Sequence, residues 1–231
     1  DSSSTVKVRD SAAGEWRELI HFPYGEEGNM IDFSKDCKSA LVLSSLGRET
    51  TALIRLDVQT GKVLEEISAS DKCNCGGVLL DDDTKEVRAV SFNYARTERT
   101  FFDAELEKDF KKLEAAGAAG SEVTISSRTR DDQTVRPATA PTRDQPKTSR
   151  PRPRSATHAL GLPAPVQWVV MYRRDDGPSE YVLYDRTSGK SDPLFVSQPS
   201  LLEYKFAHME DVRIPARDGL ELVAYLTRAQ T

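Results

Sequence analysis

The fold is decided by the stretch Leu53-Ile54-Arg55-Leu56-Asp57-Val58-Gln59-Thr60-Gly61-Lys62, which returns as Tyr181-Val182-Leu183-Tyr184-Asp185-Arg186-Thr187-Ser188-Gly189-Lys190. Each copy begins with a short apolar run that is typical of a β-strand. Each ends with an Asp four positions before a Gly. Because Asp can hydrogen-bond its own backbone and Gly can take a positive φ, this ending predicts a tight turn after the strand.

Two further strand-like runs extend the pattern. Val6-Lys7-Val8-Arg9-Asp10 leads to Gly14, and Thr100-Phe101-Phe102-Asp103 ends at an Asp that can cap a following helix. The four Asp residues, at positions 10, 57, 103 and 185, are separated by 47, 46 and 82 residues. The last interval is out of step with the other two.

A segment of unusual composition, residues 135–167, accounts for the long interval. It holds seven of the twelve prolines, no aromatic residue and five Arg with one Lys against one Asp, which is typical of a disordered segment. Without its 33 residues the interval becomes 49. A repeat of about 45–50 residues that is rich in short strands predicts a β-propeller of four-stranded blades. The segment itself is interpreted either as a translated intron or as a genuine surface loop.

Two blades are predicted strand by strand. The strands of the first are 30–33, 40–43, 52–56 and 63–67, and those of the last are 122–126, 168–173, 179–185 and 191–196. Between them, Leu106, Phe110 and Leu113 recur at helical spacing and predict a short inserted helix over 103–114.

The C-terminal stretch from Val212 to Thr227 predicts a β-hairpin. Two alternating apolar runs flank Asp218-Gly219, a pair that favours a two-residue turn. The apolar residues fall on even positions, so one face of the hairpin is predicted to need a cover. They are Val212, Ile214, Leu220, Leu222, Ala224 and Leu226.

Composition limits the class of protein. The chain has 231 residues, 38 % of them apolar and 30 % charged, as in soluble globular proteins. The net charge of −5 includes the basic segment 135–167, so the remainder is acidic and nucleic acid is not an expected partner. No apolar run is long enough for a membrane helix and no signal peptide is evident. Three cysteines favour a reducing compartment, and the cytosol is the expected location.

Several residues that can carry chemistry are interpreted as structural, and no catalytic, cofactor-binding or metal-binding residue is predicted. The three histidines fit no catalytic order, the two neighbouring cysteines lack further zinc ligands, and the acidic run lacks the spacing of a calcium loop. Gly189-Lys190 lacks the earlier Gly of a phosphate-binding loop. The basic run lacks aromatic stacking residues. These are His21, His158, His208, Cys73, Cys75, Asp81, Asp82, Asp83 and residues 149–154.

Several phrases together resemble the prolyl oligopeptidase family of serine peptidases, in particular its acylaminoacyl-peptidase and dipeptidyl-aminopeptidase-like members. They are residues 31–36, 89–94, 168–170, 175–178, 214–222 and 225–227. The resemblance implies a partial β-propeller (1–134 and 168–210), interrupted by the insertion 135–167 and followed by the truncated start of an α/β-hydrolase domain (211–231). Two departures stand out: Cys37 replaces an expected Gly after Asp36, and no Gly-x-Ser-x-Gly nucleophile motif occurs.

The resemblance also implies a function. In that family the propeller covers the active site, so this chain is expected to gate and position short peptide substrates without cleaving them. Its expected partners are those peptides, further propeller blades and the hydrolase domain, with neither nucleic acid nor membrane among them. The alternative is a non-catalytic propeller that acts as an interaction scaffold, or a defective truncated product.

Overall fold

The computed structural model describes residues 3–129 and 166–228. These residues are mostly β-strand, with an α-helix, α1, at Ala104–Ala116. Every sheet in the described residues is antiparallel, and within each sheet the strands pair in sequence order. The chain divides into unit 1, Asp1–Lys111 with Ala207–Thr231, and unit 2, Lys112–Phe206, with the border inside α1.

The strands of unit 1 form four sheets in the described residues. These are β1 Ser4–Val8 with β2 Arg17–Phe22; β3 Gly28–Phe33, β4 Ser39–Ser44, β5 Ala52–Asp57 and β6 Val63–Ser68; β7 Cys75–Leu80, β8 Val87–Asn93 and β9 Thr97–Phe101; and β14 Met209–Pro215 with β15 Glu221–Thr227.

The central strands of the β3–β6 sheet, β4 and β5, are buried on both faces. Val42, Ile54 and Leu56 pack on one face with Leu19 and Phe22, which come from the β1–β2 sheet. On the other face, Leu41 and Leu53 pack with Cys75, Val90 and Phe92 of the β7–β9 sheet. Since successive residues of a strand point to opposite faces, β4 and β5 need apolar side chains at adjacent positions to fill both interfaces. Antiparallel meanders stacked face to face are the arrangement of propeller blades.

Gly28, the first residue of β3, lies very close to the ring of Phe22 in β2. A Cβ atom built on Gly28 would lie 2.0 Å from the ring of Phe22, a fully buried side chain. Only glycine leaves room for this ring, so position 28 couples the start of the β3–β6 sheet to the strand before it.

The inserted helix forms as predicted. Asp103 caps it, because its Oδ1 accepts hydrogen bonds from the backbone N–H groups of Glu105 and Leu106 at 2.9 and 3.0 Å. The predicted stripe of Leu106, Phe110 and Leu113 is buried. Arg88 of β8 donates to Asp103 at 2.7 Å, which ties the cap to the sheet.

Unit 2 contains the four-stranded sheet β10 Glu122–Arg128, β11 Gln167–Arg173, β12 Glu180–Asp185 and β13 Lys190–Val196. Trp168 and Tyr184 are buried with their ring centroids 5.7 Å apart, and the Arg186 guanidinium lies 4.6 Å from the centroid of the Trp168 ring. The Tyr172 hydroxyl donates to the Leu113 carbonyl at 3.0 Å, and burial raises the pKa of Tyr172. A short 3-10 helix, Pro199–Glu203, follows the sheet.

These observations confirm the prediction of an all-β, propeller-type fold of four-stranded sheets with a short inserted helix. The four strands predicted for each of two blades are β3–β6 and β10–β13. Residues 130–165, which include nearly all of the predicted insertion 135–167, lie outside the described residues. The last residue of that predicted segment, Gln167, begins β11.

The predicted turns are mostly confirmed. Gly61 and Gly189 both have φ near 69°, and each donates to the carbonyl of the Asp four positions earlier at 2.8 Å. The first copy differs, because Gly14 donates to Ser11 rather than to Asp10 and is not among the described residues with positive φ.

The C-terminal hairpin is present, but its turn is longer than predicted. Gly219 has φ 88°, whereas Asp218 has no positive φ, so the two-residue turn is wrong: a type I′ turn needs two residues with positive φ. The Ala216 N–H donates to the Leu220 carbonyl at 2.7 Å and closes a three-residue loop, 217–219. No helix in residues 3–129 and 166–228 has the length and apolar character needed to cross a membrane.

Candidate functional site

One end of the stacked sheets in unit 1 collects four chain connections. We call this the turn end; it consists of residues 23–27, 45–51, 69–74 and 94–96. The β2–β3 and β4–β5 connections are joined because the N–H of Ser45 donates to the Glu27 carbonyl at 2.9 Å. The β4–β5 and β6–β7 connections are joined because the Thr51 N–H donates to Asn74 Oδ1 at 2.8 Å.

Buried hydroxyl groups organise the turn end. Ser45 Oγ accepts the Glu27 N–H at 2.8 Å and donates to Glu26 Oε2 at 2.5 Å. Thr51 Oγ1 accepts the Cys75 N–H at 3.1 Å, where β7 begins. Both side chains belong to buried residues, so they satisfy backbone groups that water cannot reach.

Two carboxylates, Glu26 and Glu27, are held at the turn end by neutral donors. Glu26 accepts from Ser45, and Glu27 accepts from the Asn74 amide at 3.2 Å. Neither has a salt-bridge partner within the part of the chain that the structure describes. Glu26 is half-buried and Glu27 exposed. Carboxylates in this state can bind a cation such as an ammonium group.

The cysteines of Cys73-Asn74-Cys75 lie at the same end. Cys75 is buried, and burial, followed by the nearby Cys73, raises the pKa of its thiol to about 11. The thiol is therefore protonated at neutral pH, whereas metal binding and redox exchange need a thiolate. Asn74, between them, contributes the two contacts to Thr51 and Glu27 described above.

The C-terminal hairpin contacts the turn end through the β8–β9 turn. The Tyr94 hydroxyl lies 3.3 Å from the Glu221 carbonyl and 3.2 Å from its Oε1. In return, the Tyr225 hydroxyl donates to the Ala95 carbonyl at 2.7 Å. Arg213 places its guanidinium 4.5 Å from the centroid of the Tyr94 ring, and Lys72 Nζ lies 5.6 Å from it.

The register of the hairpin explains which face makes these contacts. Asp211 pairs with Tyr225, Arg213 with Val223 and Pro215 with Glu221, so the odd-numbered residues share one face. This is the polar face. The predicted even-numbered apolar face carries Ile214, Leu222 and Leu226, which are 46, 52 and 41 % exposed.

The remaining residues that sequence reasoning singled out have structural roles or lie apart. His21 Nδ1 is 2.8 Å from Thr5 Oγ1 on β1, and His208 is exposed. His158 and residues 149–154 lie outside the described residues. Asp81 Oδ1 accepts from the Thr84 N–H at 2.8 Å, and this bond together with that from the Thr84 hydroxyl lowers the pKa of Asp81.

Sequence reasoning missed one copy of the repeated turn and the partners of the hairpin. In the missed copy, Lys85 has φ 63° and donates to the Asp81 carbonyl at 3.1 Å, as Gly61 does with Asp57. The shared signal is a Thr three positions after the Asp, since Thr60 and Thr84 bond Asp57 and Asp81 alike. The Tyr94 contacts had no signal, because they join residues more than a hundred positions apart.

Comparison with known proteins adds the evolutionary relationship. No protein-family model matches the chain. It is 30 % identical over 225 residues to Dipeptidyl aminopeptidase BIII of Pseudoxanthomonas mexicana, a match that covers 95 % of the chain and 27 % of that protein. The chain thus spans about a quarter of the length of this curated relative.

A similar solved structure comes from a study of two prolyl endopeptidases and of inter-domain dynamics in their catalysis and specificity. It is 13 % identical, with a TM-score of 0.49, over 96 % of the chain and 27 % of that structure. The long match to the dipeptidyl aminopeptidase agrees with the sequence phrases quoted above. The chain is therefore related to the peptidases of the prolyl oligopeptidase family.

Proposed function

We propose that this chain is the propeller portion of a serine peptidase of the prolyl oligopeptidase type, and that it gates and positions peptide substrates without cleaving them. The observation that carries the proposal is the 30 % identity to a dipeptidyl aminopeptidase over 225 residues. The stacked antiparallel sheets of unit 1 are consistent with it. Residues 1–231 contain no Gly-x-Ser-x-Gly, so we assign the nucleophile to a part of the peptidase outside them.

In this proposal the hairpin β14–β15 is the first element of the hydrolase domain. Its polar face contacts the turn end, and its apolar face carries exposed side chains such as Leu222. The turn end then faces the catalytic domain and is the part of the propeller that substrates meet. The proposed compartment is the cytosol, in agreement with the free thiols of Cys37, Cys73 and Cys75.

The substrate class follows from the chemistry of the turn end. Glu26 and Glu27 are carboxylates held by neutral donors, and a peptide with a free amino terminus supplies the ammonium group that they can bind. We assign them to positioning the amino end of short peptides. An N-acetylated peptide lacks the ammonium charge, so the two carboxylates do not strengthen its binding.

A hydrolysis assay tests the non-catalytic part of the proposal. The purified chain is incubated with aminoacyl and acyl-peptide chromogenic substrates, and no turnover is expected because the nucleophile is lacking. Turnover that a serine-directed fluorophosphonate abolishes would contradict it.

Peptide binding tests the positioning part. Calorimetric titration of the chain with a free tripeptide and its N-acetylated form is expected to show about tenfold tighter binding of the free peptide, as one charge-assisted hydrogen bond provides. Glu26→Gln and Glu27→Gln should remove the preference, whereas Glu49→Gln, which changes an exposed carboxylate in the β4–β5 connection, should keep it. Equal binding of both peptides by the unchanged chain would favour the interaction scaffold instead.

A further inference from the structure

The contact between the C-terminal hairpin and the β8–β9 turn is built from polar groups. Two tyrosines act reciprocally, since Tyr94 reaches the hairpin at Glu221 and Tyr225 reaches the turn at Ala95. The two hydrophobic clusters described for unit 1 contain no residue of β14 or β15. The described hairpin residues thus take no part in the two clusters that join the stacked sheets.

Tyr94 is the centre of this contact. It is half-buried, and the cations of Arg213 and Lys72 lie over its ring at 4.5 and 5.6 Å. The residue therefore joins three segments: the β6–β7 connection through Lys72, the β8–β9 turn that carries it, and the hairpin. Arg213 in turn donates to Glu221 Oε1 at 3.2 Å, so one hairpin carboxylate serves both Arg213 and Tyr94.

We propose that Tyr94 is a positioning residue that holds the hairpin in a reversible, salt-sensitive docked state, from which the hairpin is released while the stacked sheets stay folded. The attraction between the Arg213 guanidinium and the Tyr94 ring joins the hairpin to the β8–β9 turn, and it is electrostatic and partly exposed, so dissolved ions weaken it. The sheets are held by apolar burial, which salt does not screen. The contact between the hairpin and Tyr94 and the apolar contacts between the sheets therefore respond differently to ionic strength. The inference concerns the hairpin itself and holds whether or not the chain gates peptides.

Hydrogen exchange of the full chain, followed by mass spectrometry, tests the proposal. Tyr94→Ala is expected to raise exchange in peptides from 209–227 about tenfold, because the hydrogen bond to Glu221 and the contact between the ring and Arg213 are lost. Peptides from β4 and β5 should be unchanged. Tyr94→Phe retains the ring beneath both cations and should give a smaller increase. Tyr24→Phe is the matched control, since Tyr24 is 78 % exposed in the same unit, and should have no effect.

Ionic strength supplies a readout that a purely structural role of Tyr94 would not alter. Raising NaCl from about 0.05 M to 1 M shortens the Debye length several-fold, and hairpin exchange in the unchanged chain should rise about threefold or more. In Tyr94→Ala the salt effect should largely disappear. If the Ala variant does not fold, Tyr94→Phe with Tyr225→Phe tests the two hydroxyl contacts instead. Their combined increase in hairpin exchange should exceed either alone, and the salt effect should persist because the ring beneath Arg213 is retained.

Two results would overturn the proposal. The first is unchanged hairpin exchange in Tyr94→Ala and in the double Phe variant. The second is an increase that spreads equally to β4 and β5, since this would mean that Tyr94 stabilises the whole unit rather than positioning the hairpin.

Discussion

The β3–β6 sheet and the hairpin β14–β15 have the same antiparallel pairing, yet they differ in what covers their faces. Leu41 and Leu53 in the sheet are 1 and 0 % exposed, whereas Leu222 in the hairpin is 52 % exposed. A strand pattern thus specifies which residues share a face, while burial depends on whether another sheet packs there. The sheet is held by apolar contacts on two faces and the hairpin by polar contacts on one.

The largest expected effect comes from truncating equivalent leucines in the two regions. Leu53→Ala should lower the free energy of unfolding by about 3 kcal/mol, because it leaves a cavity between two sheets. Leu222→Ala should change it by less than about 0.5 kcal/mol, since the side chain is half exposed. Urea unfolding followed by circular dichroism measures both. If both substitutions lowered the free energy of unfolding equally, the apolar face of the hairpin would have to be covered.

Two ion pairs extend the comparison to polar groups. The Arg88 and Asp103 side chains are 10 and 27 % exposed, against 37 and 55 % for Arg213 and Glu221. Burial raises the pKa of Asp103, but hydrogen bonds from Leu106 and Arg88 outweigh it and leave that pKa below its usual value. Its contribution to stability is thus present above the unfolded-state pKa of about 4 and is lost as pH falls through the lower folded-state pKa.

We therefore expect Asp103→Asn to lower the free energy of unfolding by about 1–2 kcal/mol at pH 7 and to reduce, without abolishing, the decline that the unchanged chain shows below about pH 4, since Asp81 keeps its own lowered pKa. Glu221→Gln should cost under about 1 kcal/mol at pH 7. Urea titrations from pH 7 to pH 3 provide the measurement. If the free energy of unfolding of Asp103→Asn depends on pH as it does in the unchanged chain, the Asp103 carboxylate does not contribute to that dependence.

A smaller change in stability is expected from substitutions in the turns of the two regions. Cys37, in the β3–β4 connection, has φ 57°, which confirms that the position expected to carry Gly takes a positive φ. Cys37→Gly should stabilise the chain by up to about 1 kcal/mol, because a residue with a Cβ is strained there. Gly219→Ala, at φ 88° in the hairpin, should have the opposite sign. Thermal unfolding detects the first and hydrogen exchange of 209–227 the second. Destabilisation by Cys37→Gly would show that the thiol contributes more than the strain costs.

A further effect is expected from shortening the connection between β10 and β11. Thr129 and Gln167 are hydrogen-bonded neighbours, with the Thr129 N–H 2.9 Å from the Gln167 carbonyl, so the intervening chain leaves and returns at one place. Replacing 130–165 with Gly-Asn-Gly should raise the free energy of unfolding by up to about 2 kcal/mol, because a shorter loop costs less entropy to close. Urea unfolding measures it, and loss of cooperative unfolding would contradict it. Transcript sequencing distinguishes the two interpretations of residues 135–167, as a translated intron or as a surface loop. A spliced form that lacks these residues supports the intron.

More of the fold than of the candidate functional site could be predicted from the sequence. The short apolar run Leu53-Ile54-Arg55-Leu56 and the Asp57–Gly61 turn are local signals, so strands and turns followed from them. Glu26, Ser45 and Asn74 come together only because the sheets stack, and no local pattern marks them. The same holds for Tyr94, whose neighbours in sequence say nothing about Arg213.

Within each sheet the strands pair in sequence order, and this has a consequence for how the chain folds. Contacts between nearby residues cost little chain entropy to form, so each sheet can form early and by itself. Tyr94 and Glu221 are 127 positions apart, and their contact closes a far longer loop. The hairpin should accordingly be among the last parts to reach its place, after the sheet that receives it has formed.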